Sequence, residues 1–123
     1  MIRLSSPIPV LRIFDEAKAR EFYVDWLGFT VDWEHRFGDN FPIYLQMSRG
    51  HCVIHLSEHH GDATPGAHLR VDCDDIDGFV SELSAKDYKY AKPGEPEEKP
   101  WGTREITLTD PFSNRLTFSG PSA

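Results

Sequence analysis

Trp101 is the side chain that points most directly to ligand binding. It stands between a proline-rich stretch and an alternating run of residues, directly before Gly102. No helical spacing of apolar residues accounts for it, so this tryptophan either fills the core or offers a flat stacking face. Such a face binds aromatic and cationic groups. Trp33 and Phe37 are separated by an even number of positions, so they can share one face of a strand and extend the aromatic site.

The cysteines, the acidic run and the paired histidines do not indicate a catalytic centre. Cys52 lies in an apolar run, which favours packing, and the aspartates around Cys73 disfavour a reactive thiolate. The acidic run 72–77 lacks the spacing and the closing glutamate of a calcium loop, so we expect carboxylates at a helix N-terminus. His59 and His60 are adjacent and cannot both face one ligand, so we expect solvated loop residues.

Composition limits the classes of partner. The 123 residues fit one domain spanning 1–123, and the formal net charge is −7. An acidic surface repels DNA phosphates and anionic membranes and attracts cationic ligands, although the same charge also serves solubility. Two cysteines without CxxC spacing, and the absence of a signal-like or membrane-spanning apolar run, predict a cytoplasmic protein with free thiols.

Hydrophobic periodicity predicts an α+β chain. The predicted strands span residues 8–14, 29–37, 42–48, 51–57, 67–73, 88–91, 103–109 and 115–119. One helix begins after Asp15 and ends at Gly28, and a second begins after Asp74 or Asp75. The stretch 93–100 is rich in proline and charge and is predicted to be a long exposed loop.

The order of these elements indicates duplication. Both halves are predicted to be βαβββ, with modules at about 7–58 and 67–119 and a linker at 59–66. The halves also share a short string, Leu11–Ile13 and Leu69–Val71, before each helix. Two βαβββ halves predict curved mixed sheets around a concave cleft.

The chain resembles the vicinal-oxygen-chelate superfamily, which includes glyoxalases, bleomycin-resistance proteins and dioxygenases. The segments that carry the resemblance are 9–15, 20–23, 26–29, 100–105 and 110–116. The bleomycin-resistance branch is the most similar, on the segments Trp-Gly-Thr-Arg-Glu at 101–105 and Asp-Pro-Phe-Ser-Asn at 110–114. That branch usually has glycine at the position of Ser113. The resemblance implies eight strands around a cleft, and a homodimer in which modules of different chains often complete each site.

The resemblance also implies four positions for metal ligands. They fall at Ile8, His55, His68 and Thr117. Isoleucine cannot coordinate a metal and threonine is a poor ligand, whereas catalytic metal sites usually have three protein ligands. His55 and His68 therefore either hold a divalent metal with help from Glu58, His59 or His60, or line a binding pocket as hydrogen-bonded imidazoles.

The favoured interpretation is a binding protein, not an enzyme. It would sequester a cationic, aromatic, bleomycin-like glycopeptide without turnover and without a cofactor, by stacking and by acidic attraction. The predicted ligand-binding residues are Trp33, Phe37, His55, His68, Trp101, Gly102, Arg104 and Thr117. One alternative is a metal-dependent lyase, isomerase or dioxygenase that uses His55 and His68, and another is a cofactor-free enzyme or a small-molecule sensor.

Overall fold

Among the described residues, the fold contains eight strands and two helices in the order expected for a duplicated unit. The structure is a computed structural model that describes residues 1–122. In chain order the elements are β1 (Val10–Arg12), α1 (Glu16–Arg20), β2 (Thr30–His35), β3 (Tyr44–Arg49), β4 (Cys52–Ser57), β5 (His68–Asp72), α2 (Ile76–Ala85), β6 (Glu97–Glu98), β7 (Thr103–Thr109) and β8 (Arg115–Pro121).

Each half forms one four-stranded mixed sheet. The strand orders are β1-β4-β3-β2 and β5-β8-β7-β6. The first strand of each half pairs in parallel with the last strand, and the remaining pairs are antiparallel. The predicted α+β class, with two βαβββ halves, is confirmed.

The first helix begins and ends where its sequence predicts. The Asp15 side chain caps α1 by accepting a hydrogen bond from the Lys18 backbone N–H at 3.0 Å. The helix continues as a π-helical segment, Glu21–Trp26, and Gly28 follows with φ of +80°. A Cβ at this glycine would also lie 2.7 Å from the Arg49 guanidinium, so both backbone and packing favour glycine.

The second strand of the second half differs from the prediction. The predicted strand 88–91 is wrong because Tyr88 packs its ring 5.0 Å from that of Trp26 instead of joining a ladder. The strand lies later, at β6, inside the stretch 93–100 that was predicted to be only a loop. β6 pairs with β7 over only two residues, so the surrounding prolines make the strand undetectable in the sequence.

One hydrophobic core joins the two halves. The Trp26 indole N–H donates to the Leu83 carbonyl at 3.2 Å, and the Lys86 ammonium donates to the Trp26 carbonyl at 2.7 Å. The Tyr23 hydroxyl donates to a carboxylate oxygen of Asp110 at 2.6 Å. Helical residues therefore fill the space between the halves, and the opposite faces of both sheets are left to line a cleft.

The caps define which residues of the two halves are equivalent. Asp15 and Asp75 both accept a backbone hydrogen bond at a helix start, and they lie sixty positions apart. The same offset makes Ile8 the counterpart of His68. The similar strings Leu11–Ile13 and Leu69–Val71 therefore differ by two residues from the structural alignment of the halves. A shift of two residues leaves each side chain on the same face of its strand.

The strand ladders confirm this offset. Val10 pairs with His55 in the first half, and Arg70 pairs with Thr117 in the second. Val10 and Arg70 are also sixty positions apart, so their partners His55 and Thr117 occupy equivalent places. The two halves thus present matched positions on their cleft-facing sides.

Candidate functional site

The cleft-facing side of the second sheet is organised around one buried carboxylate, Glu105. Its side chain is only 4% exposed. One carboxylate oxygen, Oε2, accepts hydrogen bonds from Arg70 at 2.5 Å, Thr103 at 2.7 Å, Ser119 at 2.9 Å and the Trp101 indole at 3.4 Å. Strand alternation explains the set, because Thr103 and Ser119 share the face of Glu105.

These contacts fix the ionisation of Glu105. Burial raises the pKa of its carboxyl group, but hydrogen bonds from Thr103, Ser119, Arg70 and Trp101 outweigh burial and lower the pKa to about 2. The group is therefore an anion at neutral pH, and Arg70 is its counter-ion. The concave side of the second sheet carries a fixed charge pair.

Trp101 stands at the edge of this cluster with its ring open to solvent. The residue is 65% exposed although its N–H is directed to Glu105. Gly102, which follows it, has φ of +93°, a conformation that favours glycine, and its N–H donates to the Lys99 carbonyl at 3.0 Å. The turn and the carboxylate together hold the indole so that its face is free to stack.

The pH dependence of stability should report the Glu105 cluster. Because the folded pKa of Glu105 is about 2 and the ordinary value is 4.5, its contribution is complete above pH 4.5 and is lost as the pH falls toward 2. We expect the stability difference between wild type and Glu105→Gln to shrink over that window in urea denaturation. Glu95→Gln, at an exposed carboxylate, is the control and should give no such pH-dependent difference.

His68 and Thr117 meet on the same sheet. Nε2 of His68 lies 2.8 Å from the Thr117 hydroxyl, which lies 2.8 Å from the Thr107 hydroxyl. Thr117 is 3% exposed, so its oxygen is committed to these two partners. The structure brings together two predicted site residues as a hydrogen-bonded chain.

His55 occupies the equivalent place on the first sheet, with both ring nitrogens engaged. Nδ1 lies 2.6 Å from the Tyr44 hydroxyl and Nε2 lies 2.9 Å from the Gln46 amide oxygen. The Gln46 amide nitrogen donates to Asp32 at 3.0 Å, so its oxygen faces His55, Nε2 carries the proton and Tyr44 donates to Nδ1. Burial lowers the pKa of His55, which favours this neutral form.

Aromatic rings surround His55 on the cleft side. Trp33 lies edge-on to His55 at 5.3 Å and nearly parallel to Tyr44, with ring centroids 6.0 Å apart. Phe37 does not join this group, because β2 ends at His35 and Phe37 packs against His35 at 4.7 Å and His59 at 6.2 Å. His59 therefore packs against an aromatic ring, which differs from the expectation of a solvated loop residue.

Arg104 lies on the other side of the second sheet. Its guanidinium donates to Asp77 of α2 at 3.0 Å and to Glu98 of β6 at 2.7 Å. Alternation along β7 directs its neighbour Glu105 into the cleft and Arg104 toward the helix. The structure does not bring this predicted ligand-binding residue to the cleft.

A groove runs between the start of the first sheet and the second sheet. Its volume is about 1450 Å³, and it is lined by Ile8 and Val53 on one side and by Arg70 and Ser119 on the other. Carboxylates mark its rim, and they are Asp72, Asp74, Asp75 and Glu82. Neither Trp33 nor Trp101 lines this groove, which the Glu105 cluster borders through Arg70, Thr103 and Ser119.

The four family positions do not fit a divalent metal. Ile8 has no donor atom, Thr117 is hydrogen-bonded to His68, and the nitrogens of His55 are held by Tyr44 and Gln46. Within residues 1–122, no three His, Cys, Asp or Glu side chains cluster in a way that could hold a metal ion. The donor set suits hydrogen bonding to a ligand better than coordination.

The sequence matches a known family over almost its entire length. A family model described as "Glyoxalase superfamily protein" matches residues 1–122. The chain belongs to the glyoxalase superfamily. This confirms the superfamily that the sequence resembles, and the duplicated sheets described above are its fold.

Solved structures similar to this glyoxalase-superfamily chain include antibiotic-binding proteins. A bleomycin-binding protein from bleomycin-producing Streptomyces verticillus, complexed with copper(II)-bleomycin, is 29% identical with a TM-score of 0.68, covering 99% of this chain and 100% of that one. An antibiotic binding protein from Streptomyces sp. CB03234 is 24% identical with a TM-score of 0.74, at 99% and 100% coverage. A superfamily member from Sphaerobacter thermophilus is 22% identical with a TM-score of 0.70, at 95% and 98% coverage.

Among curated proteins, no sequence matches significantly. No helix within residues 1–122 has both the length and the apolar character needed to cross a bilayer.

Sequence reasoning missed several residues that build the site. Glu105 is the last residue of the Trp-Gly-Thr-Arg-Glu segment. In a strand with alternating side chains, it lies on the same face as Thr103 and on the opposite face from Arg104. Tyr44 and Gln46 alternate with the buried Leu45 and could have been found in the same way. The link between Arg70 and Glu105 had no sequence signal, because it joins strands far apart in the chain.

Proposed function

We propose that this protein sequesters a cationic, aromatic antibiotic of the bleomycin type without chemical turnover. The observation that carries the proposal is the exposed indole of Trp101, whose N–H is held by the buried Glu105. Stacking on a fixed ring loses less conformational entropy than stacking on a mobile one. Trp101 and Gly102 form the first part of this binding surface.

The charge of the groove supports a cationic ligand. The two cations on its walls are already paired, Arg49 with Glu82 and Arg70 with Glu105. Asp72 on the rim has no ion pair within residues 1–122, and the chain as a whole is acidic. A ligand with positive charge would be attracted over the distance of a Debye length, and the attraction should weaken with salt.

The relatives support the same class of ligand. A protein 29% identical over the whole chain is described as bleomycin-binding, and another is described as antibiotic binding. In this chain, the corresponding surface would combine Trp101 with residues of both halves. They are Trp33, Phe37 and His55 of the first half, and His68 and Thr117 of the second sheet.

We further propose a cytoplasmic homodimer. Trp33 and Phe37 are exposed and lie outside the groove that the Glu105 cluster borders. A second copy would bring the first sheet of one chain to the second sheet of the other and cover these rings. The ligand would then bind between Trp101 of one chain and Trp33 of its partner, at two sites per dimer.

Calorimetric titration with metal-free bleomycin, alongside elemental analysis and light scattering of the purified protein, tests this function. We expect a dissociation constant below about 1 μM, two ligands per dimer, and no stoichiometric metal. Affinity should fall as salt rises, because exposed charges attract the ligand. Absence of binding, together with one Fe, Mn, Ni or Zn per chain, would instead support an enzyme that uses His55 and His68.

A further inference from the structure

Arg70 on β5 has hydrogen-bonding capacity that the described part of the chain does not use. Within residues 1–122 its guanidinium donates to Glu105 alone, through Nη2 at 2.5 Å. Nε and Nη1 have no acceptor there, and neither is a buried atom, because the side chain is 53% exposed. A guanidinium carries five N–H donors in one plane, so most donors of Arg70 are free for a bound molecule.

These free donors lie beside the indole of Trp101. Arg70 Nη2 and Trp101 Nε1 lie 2.5 and 3.4 Å from the same oxygen, Oε2 of Glu105, so the distance between the two nitrogens cannot exceed the sum of these distances. A ring stacked on the indole would bring a substituent on its edge within reach of Arg70. A carbonyl oxygen on that substituent would accept a hydrogen bond from one of the free donors.

The charges around Arg70 favour a neutral acceptor over an anionic one. Glu105 already neutralises Arg70. The nearby Lys99 ammonium is also paired, with Glu97 at 2.8 Å. Asp72 has no ion pair among the described residues, so the local balance of charge is negative. A carboxylate or a phosphate would be repelled here, whereas an uncharged amide carbonyl would not.

Asp72 is placed to receive a positive charge next to Arg70. It lies two residues further along β5, on the same face of the strand, and about 6–7 Å away along the backbone. Both residues line the groove described above, whereas Trp101 lies outside it. A ligand that stacks on Trp101 and passes Arg70 would therefore enter the groove and reach Asp72.

We infer that Arg70 and Asp72 select an aromatic amide that carries an amino group. The ring stacks on Trp101, the amide carbonyl accepts a hydrogen bond from Arg70, and the ammonium lies against Asp72. The inference rests on the proposed stacking role of Trp101 and adds the chemical groups that the ligand must carry and their order. Arg70 is thus a specificity-determining residue as well as the counter-ion of Glu105.

An NMR titration of the full chain, labelled with nitrogen-15, tests this inference with three matched probes. N-aminoethylbenzamide has the ring, the carbonyl and a terminal ammonium. Phenylbutylamine lacks the amide, and N-propylbenzamide lacks the amine. We expect the first probe to shift the indole N–H signal of Trp101 saturably, and to bind at least about fivefold more tightly than either of the others.

Variants assign each preference to a residue. Arg70→Met should make N-aminoethylbenzamide and phenylbutylamine bind equally, and Asp72→Asn should remove the advantage of the ammonium over N-propylbenzamide. Asp87→Asn, at an exposed aspartate outside the groove, should preserve both preferences. Arg70→Lys keeps a cation beside Glu105 but loses the planar fork, so it should reduce the carbonyl preference even if Arg70→Met does not fold. Each readout compares two probes on one variant, so a change in stability alone does not produce it.

A carbonyl preference that survives Arg70→Met, or the failure of every probe to shift the Trp101 signal, would overturn the inference. Bleomycin separates this failure from failure of the proposed function. Equal bleomycin affinity in Arg70→Met and wild type would remove Arg70 from the site and leave sequestration standing. Selective binding of N-aminoethylbenzamide without bleomycin binding would support the ligand class and contradict the proposed antibiotic.

Discussion

Asp110→Ala should lower the free energy of unfolding by about 3–5 kcal/mol, a large part of the stability of a domain this size. The carboxylate is 5% exposed and accepts hydrogen bonds from the Tyr23 hydroxyl at 2.6 Å and from the backbone N–H groups of Phe112 and Asn114 at 2.8 and 2.9 Å. It also accepts from the Asn114 amide at 2.9 Å. Alanine would remove the acceptor of all four hydrogen bonds, and of the donor groups only the Asn114 amide nitrogen keeps another acceptor, the Arg12 carbonyl.

Urea denaturation followed by tryptophan fluorescence measures this effect. Asp39→Ala removes an exposed aspartate of a loop and should change stability by less than about 0.5 kcal/mol. Tyr23→Phe removes a single donor and should cost about 1–2 kcal/mol. If Asp110→Ala costs no more than Tyr23→Phe, the network is not what joins the two halves.

Trp101→Ala should weaken bleomycin binding by about 30-fold, or about 2 kcal/mol, if the proposed stacking is correct. The ring offers a large flat surface, and its orientation is set in advance by the hydrogen bond to Glu105. Because the residue is 65% exposed, its loss should change the melting temperature little. Calorimetric titration of the variant gives the affinity directly.

Tyr90→Ala is the matched control. Tyr90 is 66% exposed, nearly the same as Trp101, but it lies away from the Glu105 cluster and packs against Tyr88. Its removal should leave bleomycin affinity unchanged. Trp101→Phe keeps an aromatic face and loses the N–H, so it should fall between alanine and wild type. Equal affinity in Trp101→Ala and wild type would contradict the stacking role.

Local signals made most of the fold predictable. Asp15 and Asp75 cap their helices as expected, and the strand Thr103–Thr109 has the predicted bounds. These features depend on neighbouring residues in the chain. Ser113, which replaces the usual glycine of its motif, has φ of +71°, and this explains why glycine is common there.

The site was only partly predictable, because long-range contacts decide it. The sequence indicates a role for Trp101 because no helical spacing accounts for it. Its hydrogen bond to Glu105 could not be predicted, because it depends on the conformation of the turn that precedes β7. Arg104 was misplaced because a residue-type argument ignores which face of β7 it occupies. The sequence predicts His55 in the cleft but does not predict which of its ring nitrogens carries the proton. That depends on Tyr44 and Gln46, which the register between β3 and β4 places beside His55.

The sixty-residue offset between the halves has a consequence for how this chain could change. Ile8 and Thr117 are the two family positions that lack a strong donor, and the two are unequal. Ile8 is 45% exposed and has room for an imidazole. Thr117 is 3% exposed and is bonded to His68 and Thr107, so a carboxylate there would have to displace both. A metal ligand could therefore be introduced at Ile8 with little disturbance of the fold, whereas a ligand at Thr117 would disrupt buried hydrogen bonds.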